Sequence, residues 1–273
     1  MPSLIDLTRE LKLIGDLKNL VEVYEETSAE KMKQMREKIV TGRDFLTEIA
    51  GLSAAVGADM AKAMTQKPAT AAVFLSANEG LYGSLINDVF HAFLTAVKTE
   101  NLTAVVIGET GRQLMTELAP QIKYRYLDYI EETGSDGIGP IKALLKDYSR
   151  LKVFFARFKN IISQQPIMEE LTGQMVLDLA AAKSAAGTGH WQFIYEPSTP
   201  AVAAKFSREI WHNLFIGLMD EHRLAKQGAR LMQLDQAIEK IDERSGQMSA
   251  KVRMASKKIE DKKQQGRMVR LRP

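Results

Sequence analysis

The sequence predicts an α/β fold, a layered middle set between two long helices, and three observations carry that prediction. No proline occurs between Pro2 and Pro68 or between Pro200 and Pro273, so nothing in either end segment breaks a helix. Toward the C-terminus, Leu231, Leu234, Ile238, Ile241, Ser245, Met248, Val252, Ala255 and Ile259 follow at alternating spacings of three and four, a heptad seam that winds one helix on another. Between the ends, short apolar runs alternate with amphipathic stretches and proline- or glycine-rich turns.

The N-terminal helix carries a rougher seam in Leu4, Leu7, Leu11, Ile14, Leu17, Val21, Tyr24, Ser28, Met32, Met35 and Ile39. Each seam needs a partner, and that partner is either the other seam or a second copy of the chain. Helices of roughly 60 residues are about 90 Å long, so they project beyond a globular middle of this size. The predicted boundaries are an N-terminal coiled-coil helix over 1–66, a globular α/β domain over 70–198 and a C-terminal coiled-coil helix over 201–273.

Within the middle, Ala71 to Ala77 and Leu102 to Gly108 read as buried strands, followed by helices over Ile86 to Val97 and Gly111 to Leu118. Lys152 to Phe158 and Trp191 to Tyr195 supply two further strands, with helices expected over Ile138 to Tyr148 and Pro166 to Ala182. Alternation of this kind favours a largely parallel sheet.

The totals set limits. A chain of 273 residues, 45% hydrophobic and 26% charged, can bury a real core. The absence of cysteine excludes disulfides, thiolate metal sites and a cysteine nucleophile. The first residues lack the pattern of a signal or transit peptide, and no apolar run approaches the roughly 20 residues that span a bilayer, so the expectation is a soluble or membrane-peripheral protein. A net charge of +3 is too small to argue for nucleic acid. It is uneven, however: from Lys251 onward nine basic residues face only Glu260 and Asp261.

A layered α/β domain invites a test for nucleotide chemistry. The stretch S-A-N-E-G-L-Y-G-S (Ser76 to Ser84) has only Gly80 and Gly83 and puts Glu79 where a phosphate would come, and Gly108-Glu109-Thr110-Gly111-Arg112 lacks the lysine and spacing of a P-loop. His91, His190, His212 and His222 show no metal-ligand spacing and read as surface or interface residues. The acid pairs Glu25-Glu26, Glu131-Glu132 and Glu169-Glu170 are adjacent and do not converge on one helix face. The residues therefore point to no catalytic, cofactor or metal site, and to a protein that acts through its shape.

Several motifs resemble the gamma subunit of F-type ATP synthases. Ser76 to Asn87 is similar to that family's S-D-R-G-L-C-G-G-x-N loop, and F-K-N-I-I-S-Q-Q-P to its F-x-N-x-x-x-Q-x-P, with Phe158, Asn160, Gln164 and Pro166 in register. Tyr195-Glu196-Pro197 matches the end of the family's globular domain, Ala229 to Ala237 resembles its A-R-M-x-A-M-x-x-A, and Ser28 to Met32 its S-A-x-K-M/L. The resemblance spans the chain in order. It implies a Rossmann-like α/β globular domain and a long antiparallel coiled coil formed by the N- and C-terminal helices, the seam of Leu231, Leu234, Ile238, Ile241, Met248, Val252 and Ile259 included.

The function it implies is that of a non-catalytic rotor needing no cofactor. Its partners would be the alpha and beta subunits of the ATPase hexamer, the epsilon subunit and the c-subunit ring, through which it would be peripheral to the cytoplasmic side of a bacterial membrane. Gly80, Leu81, Tyr82 and Gly83 match the loop that faces a beta subunit, with Tyr82 expected outward. Tyr195 and Glu196 match the foot that approaches the c ring, and Arg230 the arginine of the C-terminal helix motif. The sequence also departs from the family: its Asp-Arg is Asn78-Glu79, its Cys is Tyr82, its Ala-Ser-Glu is Leu224-Ala225-Lys226, and the basic end from Lys262 has no counterpart to its closing motif. A paralogous rotor of another hexameric ATPase, or a coiled-coil adaptor, is the alternative.

Overall fold

A computed structural model describes residues 3–53, 70–128, 139–148, 150–172, 175 and 196–270. Its helices are α1 (Leu4–Ser53), α2 (Leu85–Glu100), α3 (Glu109–Leu118), α4 (Gly139–Asp147) and α5 (Thr199–Arg270). Its strands are β1 (Thr70–Leu75), β2 (Thr103–Ile107), β3 (Tyr124–Leu127), β4 (Arg150–Phe158) and β5 (Gln164–Thr172). The chain divides into two compact units, one of residues 1–30 with 230–273 and one of 31–229.

In the second unit the described strands form one sheet in the order β3-β2-β1-β4-β5. β1, β2, β3 and β4 run parallel, and β5 pairs antiparallel with β4 from Arg150 opposite Thr172 to Phe158 opposite Gln164. Alternate residues of β1 supply two cores, as the pleat requires. Ala71, Val73 and Leu75 join Val105, Val153, Phe155 and Leu171 beneath Ile49 of α1, Ile141 of α4 and Ile210, Trp211, Phe215 and Met219 of α5. Ala72 and Phe74 join Val106, Phe154 and Ala156 beneath Val89, Phe90 and Phe93 of α2, Met115 of α3 and Ala225 and Ala229 of α5. Because both faces are covered, the central strands are continuously apolar rather than alternating.

Two expectations about this unit change. A helix was expected over Pro166 to Ala182, of which residues 173, 174 and 176–182 lie outside the described ones. Residues 164–172 are instead the strand β5, at the edge of the sheet that the described residues form, where Pro166 stands opposite Ala156. Glu169 and Glu170 pair there with Arg157 and Arg150. The strand β3 was not predicted, since four residues reading Tyr-Arg-Tyr-Leu are too short to show periodicity. The predicted strand Trp191 to Tyr195 lies outside the described residues.

In the first unit α1 and α5 pack antiparallel on a narrow seam of Leu7, Leu11, Ile14, Ile241, Met248, Val252 and Ala255. Lys18 Nζ donates to Asp242 Oδ1 at 2.6 Å, and Arg244 Nη2 to Glu10 Oε1 at 3.2 Å. The Asp242 hydrogen bond holds the Lys18 ammonium above the usual lysine range. α1 opens with a capping box: Ser3 Oγ accepts the Asp6 N–H at 3.2 Å while Asp6 Oδ2 accepts the Ser3 N–H at 3.0 Å. The Ser3 hydroxyl, then its N–H, holds the Asp6 carboxyl below its usual range.

The N-terminal seam also needs correction. Leu17 is 49% and Tyr24 52% exposed, whereas Lys18 and Glu25 are half-buried. The strict three-four path runs Ile14, Lys18, Val21, Glu25 and Ser28, and following apolar residues alone steps off it by one. Of the predicted C-terminal seam, Leu234 and Met248 are buried, Leu231, Ile238, Ile241 and Val252 half-buried, and Ile259 exposed.

Candidate functional site

The residues singled out in the sequence gather at the ends of β1 and β4 and along α5. Between β1 and α2 the loop turns sharply, with Leu81 at φ 69° and Gly83 at φ 57° in the left-handed region. Gly83 adopts this without strain, but for a leucine it costs about 1 kcal/mol or more. Leu81 is 57% exposed while Tyr82 is buried. This reverses the expectation that Tyr82 faces outward: its ring joins the α2 core, and Lys226 Nζ from α5 stands 5.7 Å from the ring centroid.

The same loop occupies the place where a phosphate would bind. Asn78 Oδ1 accepts the Glu109 N–H at 2.9 Å and the Ala77 carbonyl accepts the Thr110 N–H at 2.8 Å, so amides at the start of α3 are already satisfied. Gly108 (φ 104°) permits this approach, since a Cβ there would lie 3.0 Å from the Ala77 nitrogen. Arg112 then holds Glu109 through two hydrogen bonds of 2.7 and 2.8 Å, lowering the Glu109 carboxyl from its ordinary value. Tyr126 faces this pair, and partial burial first, then Asp128 and Glu109, pushes its phenol up.

The F-K-N-I-I-S-Q-Q-P motif is the hairpin between β4 and β5. Asn160 Oδ1 accepts the N–H groups of Ile162 and Ser163 at 3.0 and 2.7 Å, and Gln164 Nε2 donates to the carbonyls of Asn160 and Ile161 at 3.0 and 2.7 Å. Phe158 lies under the Arg36 guanidinium at 5.4 Å. Gly228 of α5 makes room for the motif, since a Cβ there would meet Phe158 at 3.0 Å and Gln164 Nε2 at 3.1 Å. The motif's polar residues thus shape a turn, which presents Ile162 at 80% exposure.

Arg230 is buried, at 8% exposure, and does not lie on an open charged face. Glu196 is exposed just before α5, and Tyr195 lies outside the described residues. His222, expected at a surface or interface, is buried at 3% because its ring reaches from α5 to the backbone of β4. Its immediate neighbours Glu221 and Arg223 are charged, but Leu218, Met219 and Ala225, three and four positions away on the same helix face, were the signal of burial. Among the described residues no group of His, Asp or Glu could hold a metal ion, and no helix is long and apolar enough to cross a membrane.

With that geometry in place, a family model described as ATP synthase matches residues 3–257. The chain belongs to this family. Similar members include the ATP synthase gamma chain of Polaromonas sp., 22% identical over 85% of each chain, and that of Aromatoleum aromaticum, 23% identical over 87% of each. Among solved structures, the rotor of the Euglena gracilis mitochondrial ATP synthase superposes with a TM-score of 0.60 at 13% identity, covering 94% of this chain and 98% of that one. The central stalk and c-ring structure of the Tetrahymena thermophila enzyme gives 0.55 at 17% identity, over 80% and 99%. Family membership and fold are therefore shared across nearly the whole length, although few residues are.

Proposed function

We propose that this chain is the gamma subunit of an F-type ATP synthase, the rotor of its central stalk. The observation that carries this reading is one of extent: residues 3–257 match the ATP synthase family, and the similar gamma chains are covered nearly end to end. A pair of long helices and an α/β domain, matched over that length, fit a rotor subunit.

In this role the paired helices stand inside the hexamer of alternating alpha and beta subunits, and the α/β domain meets the epsilon subunit and the c ring. The chain makes and breaks no bond. Because the shaft is asymmetric, each angle favours a different conformation in each catalytic subunit, and rotation becomes a shift in their relative affinities for nucleotide. The Gly80-Leu81-Tyr82-Gly83 loop is the beta-subunit contact, with Leu81 rather than Tyr82 as the presented side chain. Tyr195 and Glu196 belong to the foot near the c ring, and Arg230 to the C-terminal helix motif. The bacterial origin of the similar gamma chains supports a place on the cytoplasmic side of the cell membrane, peripheral through the c ring. Whether the ring carries protons or sodium is decided on the ring.

The test is reconstitution with alpha and beta subunits from the same source, with ATP hydrolysis measured in the presence and absence of this chain. The expected result is a complex that co-elutes and hydrolyses ATP faster than the hexamer alone. A hexamer that it neither joins nor stimulates overturns the proposal, and co-elution with a different hexameric ATPase would favour a paralogous rotor.

A further inference from the structure

We propose that His222 is the pin that closes the switch point of the sheet, holding α5 on the strand ends as a neutral imidazole, and that taking up a proton releases it. The inference rests on the crevice itself and stands independently of the rotor reading.

The chain runs outward from β1 to β2 and β3, then returns to the other side of β1 for β4. At such a reversal the strand ends part, and open parallel sheets bind their ligands in the crevice that results. Here the β1–β4 register ends at Phe74 opposite Phe154. Two residues further on, the Ser76 N–H still donates to the Ile107 carbonyl at 2.8 Å, the ordinary rung beside the Leu75–Ile107 pair, so β1 stays on β2 after its register with β4 has ended. The His222 ring fills the gap. Its Nδ1 lies 3.0 Å from the Ala156 nitrogen and its Nε2 3.0 Å from the Ser76 carbonyl oxygen. A backbone N–H can only donate and a carbonyl can only accept, so the ring must be bare at Nδ1 and protonated at Nε2. One side chain thereby replaces the hydrogen bonds that the diverging strands no longer make with each other.

Protonation would place an N–H at Nδ1, aimed at the Ala156 N–H. Two donors would then face each other in a site where the ring is 3% exposed, and either the bond or the position of α5 must give. α5 brings Asp220, Glu221, Arg223 and Lys226, β4 brings Arg157, the loop after β1 brings Glu79, and α3 brings Glu109. Asp220 pairs with Arg223 at 2.8 Å, Glu221 with Arg157 at 3.1 Å and Glu109 with Arg112 at 2.7 Å, and Lys226 is itself buried. Protons have a route, because a cleft of about 300 Å³, open solvent included, is lined by Ser76, Asn78, Gly108, Met219, His222 and Arg223.

Because the fold selects the neutral ring, the unfolded chain binds more protons near the ordinary histidine value of about 6.5, and stability falls as pH drops through it. Urea unfolding of the full chain between pH 7.5 and 5.5 tests this. The wild-type folding constant should fall about tenfold more over that range than those of His222→Gln and His222→Asn. Ring ¹⁵N spectra of the wild type give a second measurement that does not depend on a variant folding, and should show a neutral Nε2–H tautomer persisting at pH 6. An Nδ1–H tautomer, a ring that ionises like a free histidine, or a pH step unchanged in both variants would overturn the proposal.

Discussion

The two units of this chain are built on opposite economies of burial. Between its layers the α/β unit hides Phe74, Phe90, Phe93 and Phe155 at 2% exposure or less, with Phe93 stacked on Phe74 at 5.4 Å and set edge-on to Phe154 at 5.7 Å. The paired-helix unit rests on a strip one or two side chains wide, crossed by Lys18, Glu25 and Ser28, with Leu13, Leu17, Leu20 and Tyr24 left open on α1. A closed core specifies one packing, whereas a thin seam with exposed apolar flanks leaves the helices surface to offer other subunits. The contrast matches the two tasks in the rotor proposal, a rigid foot and a shaft that must meet changing neighbours.

The strongest way to break this contrast is Phe93→Ala, which should cost about 3–5 kcal/mol in urea unfolding, since the aromatic cluster cannot collapse around the space. A loss below about 1 kcal/mol would mean that the layered core is not the stable half. Met248→Ala tests the other half and should cost about 2 kcal/mol, at the low end for a buried methionine because the seam has solvent on both sides. It should appear as lost helical signal with the sheet retained.

Smaller effects sharpen the seam itself. Ile14→Glu should loosen the paired helices, whereas Leu17→Glu, at a position 49% exposed, should change stability by no more than about 0.5 kcal/mol. Equal effects would restore the path through Leu17. The smallest expected effect is at the capping box. A carboxyl held below its ordinary value stabilises the fold above the unfolded value near 3.8, and that contribution is lost as pH falls through the lower folded one. Asp6→Ala should therefore flatten the acid limb of the helical signal slightly, and an unchanged limb would show that the box does not persist in solution.

Much of this was legible in the residues. Proline-free ends, the heptad from Leu231 and the apolar runs of β1, β2 and β4 follow from local periodicity, which a sequence records directly. Tyr82 was misjudged because burial of a loop side chain depends on what arrives from elsewhere, here the α2 core and Lys226, 144 positions away by their numbers. β5 was misjudged because proline suits both a first helical turn and an edge strand, and only the neighbouring β4 decides between them.

By itself, then, the sequence determined the long end helices and the alternation of strand and helix between them, because helix and strand periods and the placement of proline are local properties. It also excluded cysteine chemistry and offered no phosphate loop. Only the tertiary structure decided that Asn78 caps α3, that Leu81 rather than Tyr82 faces outward, and that His222 fills the switch point between β1 and β4. Those outcomes join residues far apart in the chain, and no local pattern constrains which distant backbone group a side chain will meet.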